Sequence, residues 1–466
     1  MRNNFSSSNE VFEWLSKFIN LERGQKPKSF RLERMETLAE LAGNPHRCAP
    51  SIHIAGSKGK GSVTSMLAAI LAAAGYRTAR YMSPHVIDIR ERVCLNGSFF
   101  SEDIYCSAGA ELRRVTEEIL PLSVKSNPLA AELFDTGGEP TYWELLTLFF
   151  FLCARLSECD VMVTETGMGG RLDSTNIIDS AVSVITLIEL EHTGILGDTI
   201  AAIAGEKAGI IKKGRPLILA NQCGQALEVF RKKAQETESR LYYFPEISAL
   251  TDINVTSRGT SFSLSLNLAE NENHIFNSSF SVPIPGKVQA ENAALAAAAV
   301  KIAFPQINID AVSSGLSNVN IPARFENIQD ESSPFIIDGA HTPESLEQCV
   351  ETFCALYGNK GVLIFGCASD KDVSSMARIA ASHFSKIIIT TPGLFKTSYP
   401  EKIFETFKQA EKKVKILLIK DTREAVRQAV NNAKENRLPI LGTGSFYLVS
   451  EIRSFCIGNG NIAVSN

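Results

Sequence analysis

The chain has 466 residues, 44% hydrophobic and 21% charged, with a formal net charge of −4 and a pI near 6.1. This length and composition predict a globular protein with two or more domains, at roughly 100–200 residues per domain. The mildly acidic balance argues against a strongly basic nucleic-acid platform. The polar N-terminus lacks an apolar signal core, and the most apolar run, 145–156, is too short to cross a bilayer.

Ten cysteines are scattered along the chain without a CxxC pair. Cysteines in this pattern are typical of reduced, packed side chains in a cytosolic protein. We therefore expect a soluble cytoplasmic protein with neither a membrane nor a nucleic-acid partner.

The first part of the chain predicts strands and helices in alternation. Up to residue 140, we predict helices at 11–19 and 34–42 with a polar connection at 22–31, a strand ending at 55, a helix at 62–74, a strand at 78–82, a mobile surface loop at 87–96, a helix at 101–120 and an irregular polar segment at 123–140. From residue 145, we predict a helix at 145–156, strands at 159–165 and 182–187, a helix at 199–211, a strand at 216–220 and a helix at 226–236. The last elements of this part are β-hairpins at 241–282 and helices at 289–303 and 309–316.

The remainder predicts a second α/β domain. Strands at 335–338, 361–365, 386–390, 414–419 and 439–441 alternate with helices at 344–356, after 372, at 400–412 and at 422–436. Strands separated by helices favour a parallel sheet. We place the domain boundary near 318–321, which gives domains at 1–318 and 319–466.

The stretch from Ser51 to Thr64 joins a buried strand to a helix through a turn with Gly56, Gly59 and Gly61. Glycines let backbone N–H groups approach an anion, and the helix N-terminus adds its positive dipole end. Lys60 can reach the outer phosphates of a nucleotide, and the Ser62 hydroxyl can ligate Mg²⁺. The spacing departs from the commonest nucleotide loop, and a tight turn without a ligand is the alternative.

Three polar residues follow other predicted strands: Ser83, Glu165 and His192. Ligands of open α/β sheets bind at the carboxyl ends of the strands, and Mg²⁺ prefers oxygen ligands. The set predicts a metal site. The alternatives are a plain turn serine, a glutamate in a local salt bridge, and a histidine with a structural role.

Two further segments have both a structural and a functional interpretation. Lys207 lies in Ala/Ile surroundings, which is costly for a cation unless it is paired, modified, or extended to the surface. Thr141 followed three residues later by Glu144 predicts a capping box at the start of the most apolar helix.

A β-turn is predicted at Asn96-Gly97.

Eight motifs in order resemble the folylpolyglutamate synthase/dihydrofolate synthase family within the Mur ligase superfamily. They are Ala55-Gly-Ser-Lys-Gly-Lys-Gly-Ser62, Ser83-Pro-His85, Glu91-Arg-Val93, Glu165-Thr-Gly-Met-Gly-Gly-Arg-Leu-Asp-Ser-Thr-Asn176, His192 with Leu196-Gly-Asp-Thr199, Glu206-Lys-Ala-Gly-Ile210, Asp338-Gly-Ala-His341 and Thr443-Gly-Ser-Phe-Tyr-Leu448. The resemblance implies a two-domain α/β fold, with an N-terminal P-loop ATPase domain and a C-terminal Rossmann-like glutamate-ligase domain.

The resemblance also implies the activity: ATP-dependent addition of L-glutamate to tetrahydrofolate through an acyl phosphate. It leaves open whether dihydropteroate is also a substrate. It implies two Mg²⁺ ions, allows a monovalent cation, and fits a monomer. The alternatives are a Mur-type ligase for another carboxylate substrate and a non-catalytic nucleotide-binding regulator.

The resemblance assigns residues to four roles. The residues matched to ATP binding are Gly59, Lys60, Gly61, Ser62, Asn292, Arg324 and Asp338. Those matched to metal ligation are Ser83, Glu165 and His192, and those matched to the pterin site are Thr141, Tyr142, Trp143 and Glu144. The residues matched to catalysis are Lys60, Lys207 and His341, with Lys207 carbamylated as N6-carboxylysine.

Three positions depart from the family pattern: Trp143 stands where phenylalanine is common, Ala323 replaces a glycine, and Thr342 replaces an asparagine. They affect the expected fine geometry of the substrate sites and not the reaction class.

Overall fold

The computed structural model describes residues 5–20, 31–136, 138–268, 275–329, 334–393 and 396–458. The chain divides into two compact units, one of residues 1–253, 261–282 and 290–320 and one of residues 254–260, 283–289 and 321–466. The predicted connection at 22–31 lies outside the described residues except for its last residue. Within the described ranges, no helix has both the length and the apolarity to cross a membrane.

The first unit is built on an eight-stranded sheet. Its strands are β1 (Ser51–Ala55), β2 (Thr78–Tyr81), β3 (Val93–Leu95), β4 (Ser98–Phe99), β5 (Val161–Glu165), β6 (Val182–Ile185), β7 (Leu217–Leu219) and β8 (Leu241–Tyr243). They run in the order β4-β3-β2-β5-β1-β6-β7-β8. The pairs β2–β3 and β3–β4 are antiparallel, and the other pairs are parallel. The parallel pairing brings the carboxyl ends of β1, β2, β5 and β6 to one edge of the sheet.

Thirteen α-helices are described before residue 320. They are α1 (Ser8–Leu15), α2 (Leu32–Leu41), α3 (Lys60–Ala73), α4 (Glu102–Arg114), α5 (Leu120–Ser126), α6 (Pro128–Ala131), α7 (Tyr142–Leu156), α8 (Thr193–Leu196), α9 (Ile200–Ala208), α10 (Gly224–Glu236), α11 (Phe244–Ile247), α12 (Lys287–Ala303) and α13 (Ile309–Ser317). Helix α7 is apolar on all sides because it is buried on nearly all sides.

Two local predictions are wrong. The segment expected to be irregular forms α5, α6 and a π-helical turn at Glu132–Thr136. Asn127 caps α6 and Pro128 starts it, so its polar residues and proline are helix-start signals here. The expected mobile loop at 87–96 is a 3₁₀ helix, Ile89–Arg92, with an Asp88 capping box, followed by strand β3. The turn at Asn96-Gly97 is confirmed, with φ of 50° and 75°.

A separate three-stranded sheet has the order β11-β10-β9 and contains β9 (Ser248–Thr256), β10 (Gly259–Asn267) and β11 (Ile275–Val282). The predicted hairpins are thus confirmed from residue 248 onward. Strand β8 instead joins the large sheet, parallel to β7.

The second unit contains a six-stranded sheet in the order β12-β13-β17-β14-β15-β16. The strands are β12 (Glu326–Asn327), β13 (Phe335–Ile337), β14 (Gly361–Phe365), β15 (Phe384–Ile389), β16 (Lys415–Leu418) and β17 (Ile440–Thr443). The helices are α14 (Pro343–Tyr357), α15 (Val373–Ala380), α16 (Pro400–Ala410), α17 (Thr422–Asn436) and α18 (Phe446–Gly458). Five strands are parallel, which confirms the second α/β domain.

Candidate active site

The glycine turn after β1 is held against the end of β6. The backbone N–H groups of Ser57 and Lys58 donate to the Leu187 carbonyl at 2.8 and 3.2 Å. A Cβ added at Gly56, where φ is 146°, would lie 1.8 Å from Thr186 Oγ1, so only glycine allows this approach. The predicted strand–turn–helix unit is present, and its close packing preforms a cradle for an anion.

The other end of the turn meets α12. Gly59 has φ of 85° and is the N-cap of α3, and a Cβ there would lie 2.5 Å from Asn292 Oδ1. Ser62 is buried in the first turn of α3. The structure therefore brings together five of the predicted ATP-binding residues: Gly59, Lys60, Gly61, Ser62 and Asn292.

Two lysines donate to one backbone carbonyl in this turn. Lys60 Nζ lies 2.8 Å from the Gly56 carbonyl oxygen and Lys207 Nζ lies 2.7 Å from it. Lys207 is 1% exposed, so it does not extend to the surface. Its second partner is Glu191 Oε1 at 2.8 Å, and this ion pair compensates the buried charge.

The close packing of these charges shifts their acid–base equilibria. Burial lowers the pKa of Lys207, and the nearby Lys60 lowers it further, to about 8. Burial raises the pKa of Glu191, but the charges of Lys60 and Lys207 outweigh it and lower that pKa to about 2. Glu191 follows the end of β6 and is a site residue that the sequence analysis did not select.

The glycine-rich loop after β5 packs on the helix that carries Lys207. Cβ atoms added at Gly170 and Gly209 would lie 2.8 Å from the Glu206 carbonyl and 2.4 Å from the Arg171 Cα. The Arg171 N–H also donates to the Glu206 carbonyl at 2.7 Å. The glycines in this motif thus allow contact between backbones, which fixes Lys207 relative to the end of β5.

Ser83 and Glu165 meet beside the phosphate turn. The Ser83 N–H donates to Glu165 Oε2 at 3.2 Å, and a Cβ added at Gly61 would lie 3.7 Å from the same oxygen. Glu165 is 3% exposed and has a local hydrogen bond, as the structural alternative required.

These two oxygen donors fit Mg²⁺, which in phosphate sites is bound by one or two protein groups and completes its shell with phosphate oxygens and water. Within the described ranges, no three His, Cys, Asp or Glu side chains form a group that could hold a metal alone.

His192 begins the short helix α8 with a left-handed φ of 49° and is exposed. It directly follows Glu191 in the chain, and its charge contributes to the lowered pKa of Glu191. Its role as a metal ligand stays a prediction.

The segment from Thr141 to Glu144 forms the predicted capping box. Thr141 Oγ1 accepts from the Glu144 N–H at 3.3 Å, and Glu144 Oε2 accepts from the Thr141 N–H at 2.7 Å. The Tyr142 side chain is buried in the core, whereas Trp143 lies within 3.6 Å of a Cβ added at Gly167. The capping role is confirmed, and the pterin role stays a prediction.

The Arg34 side chain binds the segment from Thr141 to Glu144 through Glu144. It is 1% exposed and donates through Nε and Nη2 to the two carboxylate oxygens of Glu144 at 2.7 and 3.2 Å. Its remaining N–H groups donate to the backbone carbonyls of Leu133, Gly138 and Glu139. One side chain thus joins the segment before α7 to its capping box.

A chain of hydrogen bonds supports the loop after β5. Asp173 Oδ2 accepts from the N–H groups of Gly167 and Met168, both at 3.0 Å. Asp173 Oδ1 accepts from the Thr175 hydroxyl at 2.5 Å, and that hydroxyl lies 2.8 Å from His53 Nε2. Asp173 therefore positions the loop that follows Glu165.

The predicted site residues of the second unit lie on both sides of β13 in the chain. Asp338 accepts from the N–H groups of Phe325 and Ala340, each at 2.8 Å. Burial raises the pKa of Asp338, while the Arg324 charge and the two amides oppose that effect. The Arg324 guanidinium lies 4.6 Å from the centre of the Phe446 ring, and the His341 ring lies 5.8 Å from the same ring. Arg324, Asp338 and His341 therefore form one group within this unit.

The three departures from the family pattern have local explanations. Thr342 is the N-cap of α14 in a capping box with Ser345, a role that an asparagine can also fill. Ala323 has φ of 57°, a conformation that favours glycine. The Arg92 guanidinium lies 5.1 Å from the centre of the Trp143 ring, a cation–π contact for which indole is the best partner.

Two family models match the chain. The Mur ligase middle domain matches residues 123–300, and the Mur ligase glutamate ligase domain matches residues 323–446. The chain is 30% identical over 461 residues to dihydrofolate synthase/folylpolyglutamate synthase of Bacillus subtilis, covering 96% of this chain and 99% of that one.

Solved structures agree over nearly the whole length. Mycobacterium tuberculosis folylpolyglutamate synthase, complexed with ADP and AMPPCP, superposes with a TM-score of 0.83 at 27% identity and covers 96% of this chain and 98% of that one. Escherichia coli FolC, in complex with DHPP and ADP, superposes with a TM-score of 0.79 at 25% identity and covers 98% and 99%.

Proposed function

The chain belongs to the folylpolyglutamate synthase/dihydrofolate synthase family, and from this premise we propose that it joins L-glutamate to a folate-type carboxylate at the expense of ATP. One observation in the structure carries the proposal: the lysines Lys60 and Lys207 converge on the Gly56 carbonyl of a glycine turn, next to the buried Glu165. Cations, backbone amides and a carboxylate at one strand edge suit the transfer of a phosphoryl group.

In the first step, a carboxylate oxygen of the folate attacks the γ-phosphorus of ATP. A P–O bond forms, the bond to ADP breaks, and the product is an acyl phosphate. The Gly59–Ser62 amides and Lys60 hold the β- and γ-phosphates and stabilise the charge that develops between them. This step activates the carboxylate, because phosphate is a much better leaving group than the oxide that an unactivated carboxylate would have to expel.

Mg²⁺ bound with the phosphates supplies charge neutralisation, and we propose that Ser83, Glu165 and His192 hold it. Support comes from the contact of Ser83 with Glu165 beside Gly61 and from the position of His192 near Glu191. We propose a second Mg²⁺ at Lys207. A monovalent cation is compatible with the oxygen-rich loop after β5.

We propose that Lys207 is carbamylated on Nζ. The ammonium group first loses one proton. The uncharged amine then attacks carbon dioxide, a C–N bond forms and a second proton is released, so that an anion replaces the cation. Burial and Lys60 favour the uncharged amine, because they lower the pKa of Lys207 to about 8. The carbamate would then take the place of the ammonium beside Lys60 and would ligate the second ion.

In the second step, the glutamate amine attacks the acyl phosphate, a C–N bond forms, and phosphate leaves from a tetrahedral intermediate. We propose that His341 assists this step. Its Nδ1 lies 2.8 Å from the Gly339 carbonyl oxygen, which only accepts, so Nδ1 carries a proton. Neutral His341 then presents Nε2 as a proton acceptor for the attacking amine. Asp338 and Arg324 are proposed to hold ATP, Asp338 at the ribose.

The pterin end of the substrate is proposed to lie at Thr141–Glu144, with Trp143 as the contacting ring. Trp143 lies beside Gly167 and the Arg92 guanidinium, which supports an aromatic subsite of fixed shape. We propose a monomeric, cytoplasmic enzyme with its ATPase function in 1–318 and its glutamate-ligase function in 319–466.

A two-substrate assay tests the proposal. The enzyme is incubated with ATP, Mg²⁺ and L-glutamate, together with either tetrahydrofolate or dihydropteroate. A glutamylated product in one or both reactions, formed with one ADP per amide bond, is expected. ADP formation only with another carboxylic acid would assign the chain to a different ligase activity of the Mur type. Binding of ATP without release of ADP, with or without glutamate, would indicate a nucleotide-binding regulator.

A further inference from the structure

The glycine turn after β1 is bound to the segment 186–191, which follows β6. The Leu187 carbonyl accepts from the N–H groups of Ser57 and Lys58 at 2.8 and 3.2 Å. The Glu189 carbonyl accepts from the Ser57 hydroxyl at 3.0 Å. Three donors of the turn thus bind two carbonyls of one segment, so a shift of this segment would move the turn.

The same segment carries the counter-charge of Lys207. Glu191 Oε1 lies 2.8 Å from Lys207 Nζ, and this Nζ also donates to the Gly56 carbonyl at 2.7 Å. The position of the segment therefore affects both the backbone of the turn and one of the two lysines that converge on it.

Strand β6 lies between β1, which leads into the turn, and β7, which leads towards Gln222. On the β7 side, the last paired residues are Ile185 and Leu219. One more backbone bond joins the Ala220 N–H to the Ile185 carbonyl at 2.9 Å, and the chain then enters α10 at Gly224. Both strands therefore end before the segment that holds the turn.

The Gln222 side chain continues the pairing beyond the end of β7. Its Nε2 donates to the Thr186 carbonyl at 2.9 Å, and its Oε1 accepts from the Ile188 N–H at 3.1 Å. A carbonyl only accepts and an N–H only donates, so the two partners fix the orientation of the carboxamide. All three residues are buried, and loss of the carboxamide would leave a buried carbonyl and a buried N–H without this partner.

We propose that Gln222 is a positioning residue of the phosphate site, which acts through the segment 186–191. Its two hydrogen bonds flank Leu187, whose carbonyl accepts from the turn, and they keep that carbonyl in place. The inference rests on the proposed function, in which the turn holds the phosphates of ATP. Removal of the carboxamide therefore weakens nucleotide binding and slows phosphoryl transfer.

Gln222→Met and Gln222→Asn test this role. Methionine keeps the length of the side chain and removes both hydrogen bonds, whereas asparagine keeps the carboxamide but is one methylene too short to reach both partners. Calorimetry measures the Kd for ADP in the presence of Mg²⁺. We expect the Kd to rise by about 10-fold or more in Gln222→Met, and by less in Gln222→Asn.

Steady-state kinetics then separates positioning from a general loss of structure. The KM for ATP is expected to rise and the KM for the folate substrate to stay unchanged. A partly unfolded variant would instead have fewer binding sites, with the Kd and both KM values of the folded fraction unchanged. Urea unfolding gives the folded fraction of each variant.

Asn221→Ala is the matched control, because it removes the carboxamide of the neighbouring residue. The Asn221 side chain accepts from the Tyr243 hydroxyl at 3.0 Å, at the end of β8. This variant is expected to bind ADP as the wild type does. An unchanged Kd for ADP in both Gln222 variants would overturn the inference. Wild-type protein that binds ADP but forms no glutamylated product would instead refute the proposed function alone.

Hydrogen exchange of the ligand-free protein tests the coupling between the segment and the turn. In Gln222→Met, the N–H groups of Ile188, Ser57 and Lys58 are expected to exchange about 10-fold faster than in the wild type, because local opening of the segment becomes easier. Asn221→Ala should leave all three rates unchanged. Faster exchange at Ile188 alone would show that Gln222 supports only its own neighbours, and would overturn its role in positioning the turn.

Discussion

The carboxyl edges of the two parallel sheets carry different chemistry. At the first edge, Lys60 and Lys207 converge on the Gly56 carbonyl, with the half-buried Glu191 as the counter-charge. At the second edge, the half-buried Asp338 is held by backbone amides and lies near Arg324. The first edge is built around cations and the second around an anion.

The difference shows that the fold sets the place of a site and the side chains set its chemistry. A cluster of cations with a glycine turn suits phosphate transfer. A histidine with one proton fixed by the Gly339 carbonyl suits proton transfer from an amine. We therefore propose that Lys60 acts in phosphoryl transfer and His341 in amide formation, and variants that separate the two half-reactions test this proposal.

Lys60→Ala is expected to have the largest effect on activity. Removal of the cation from the phosphate turn lowers kcat by about 10²–10³-fold, as for the loss of one group that stabilises transition-state charge. ADP formation is lost to the same extent with and without glutamate. A single-turnover assay with radiolabelled ATP measures both.

The matched control is Lys213→Ala, which removes an exposed lysine and is expected to have no effect. A Lys60→Ala enzyme with normal ADP formation would show that the first edge does not carry out phosphoryl transfer.

His341→Ala is expected to lower the rate of amide formation by about 10²-fold, the lower range for acid–base catalysis. ADP formation in a single turnover without glutamate is retained, because the first edge is intact. An equal loss of ADP formation and amide formation would contradict the proposal that the first edge carries out phosphoryl transfer and His341 assists amide formation.

Glu191→Gln is expected to change the pH dependence of stability. The pKa of Glu191 is lowered in the folded protein to about 2, so its contribution to stability is present above its ordinary pKa of 4.5 and is lost as pH falls towards 2. At pH 6 the variant is therefore less stable, by about 1–3 kcal/mol, since the buried Lys207 loses its charged partner.

The measurement is urea unfolding between pH 6 and pH 3, without metal and without carbon dioxide, so that Lys207 stays unmodified. The gap between wild type and variant should narrow as pH falls. A gap that is constant across this range would show that Glu191 is not an ionised partner of Lys207.

Ala323→Gly is expected to have the smallest effect, at the second edge. The left-handed conformation costs alanine about 1–2 kcal/mol, and glycine adds about 0.5–1 kcal/mol of unfolded-state entropy. The variant should therefore gain about 0.5–1 kcal/mol in free energy of unfolding. Ala377→Gly, in the middle of α15, is the control and should lose a similar amount. A loss in both variants would show that Ala323 is not strained.

The sequence predicts the parallel strands and the glycine turn well, because buried strands are continuous apolar runs and phosphate turns need glycine. It does not predict the helices of 120–136, where a proline and polar caps resemble a loop until their hydrogen bonds are known. The 3₁₀ helix at Ile89–Arg92 is missed for the same reason, because a cap at Asp88 orders a stretch that has no apolar period.

The candidate site is predicted in its parts and not in its network. Lys207 is recognisable from its apolar neighbours, but its partner Glu191 lies 16 residues away and has no periodic signal. The link between Arg34 and Glu144 spans 110 residues. Such contacts between distant residues depend on the tertiary fold. The sequence indicates only that an acidic residue, Glu191, follows β6.

The central claim is that ATP activates the folate carboxylate as an acyl phosphate, and an isotope experiment tests it most directly. The acceptor carboxylate is labelled with oxygen-18, the ligation is run to completion, and the released inorganic phosphate is analysed by mass spectrometry. Phosphate that carries one oxygen-18 atom per amide bond formed is the predicted result. Unlabelled phosphate alongside a normal yield of glutamylated product would contradict it.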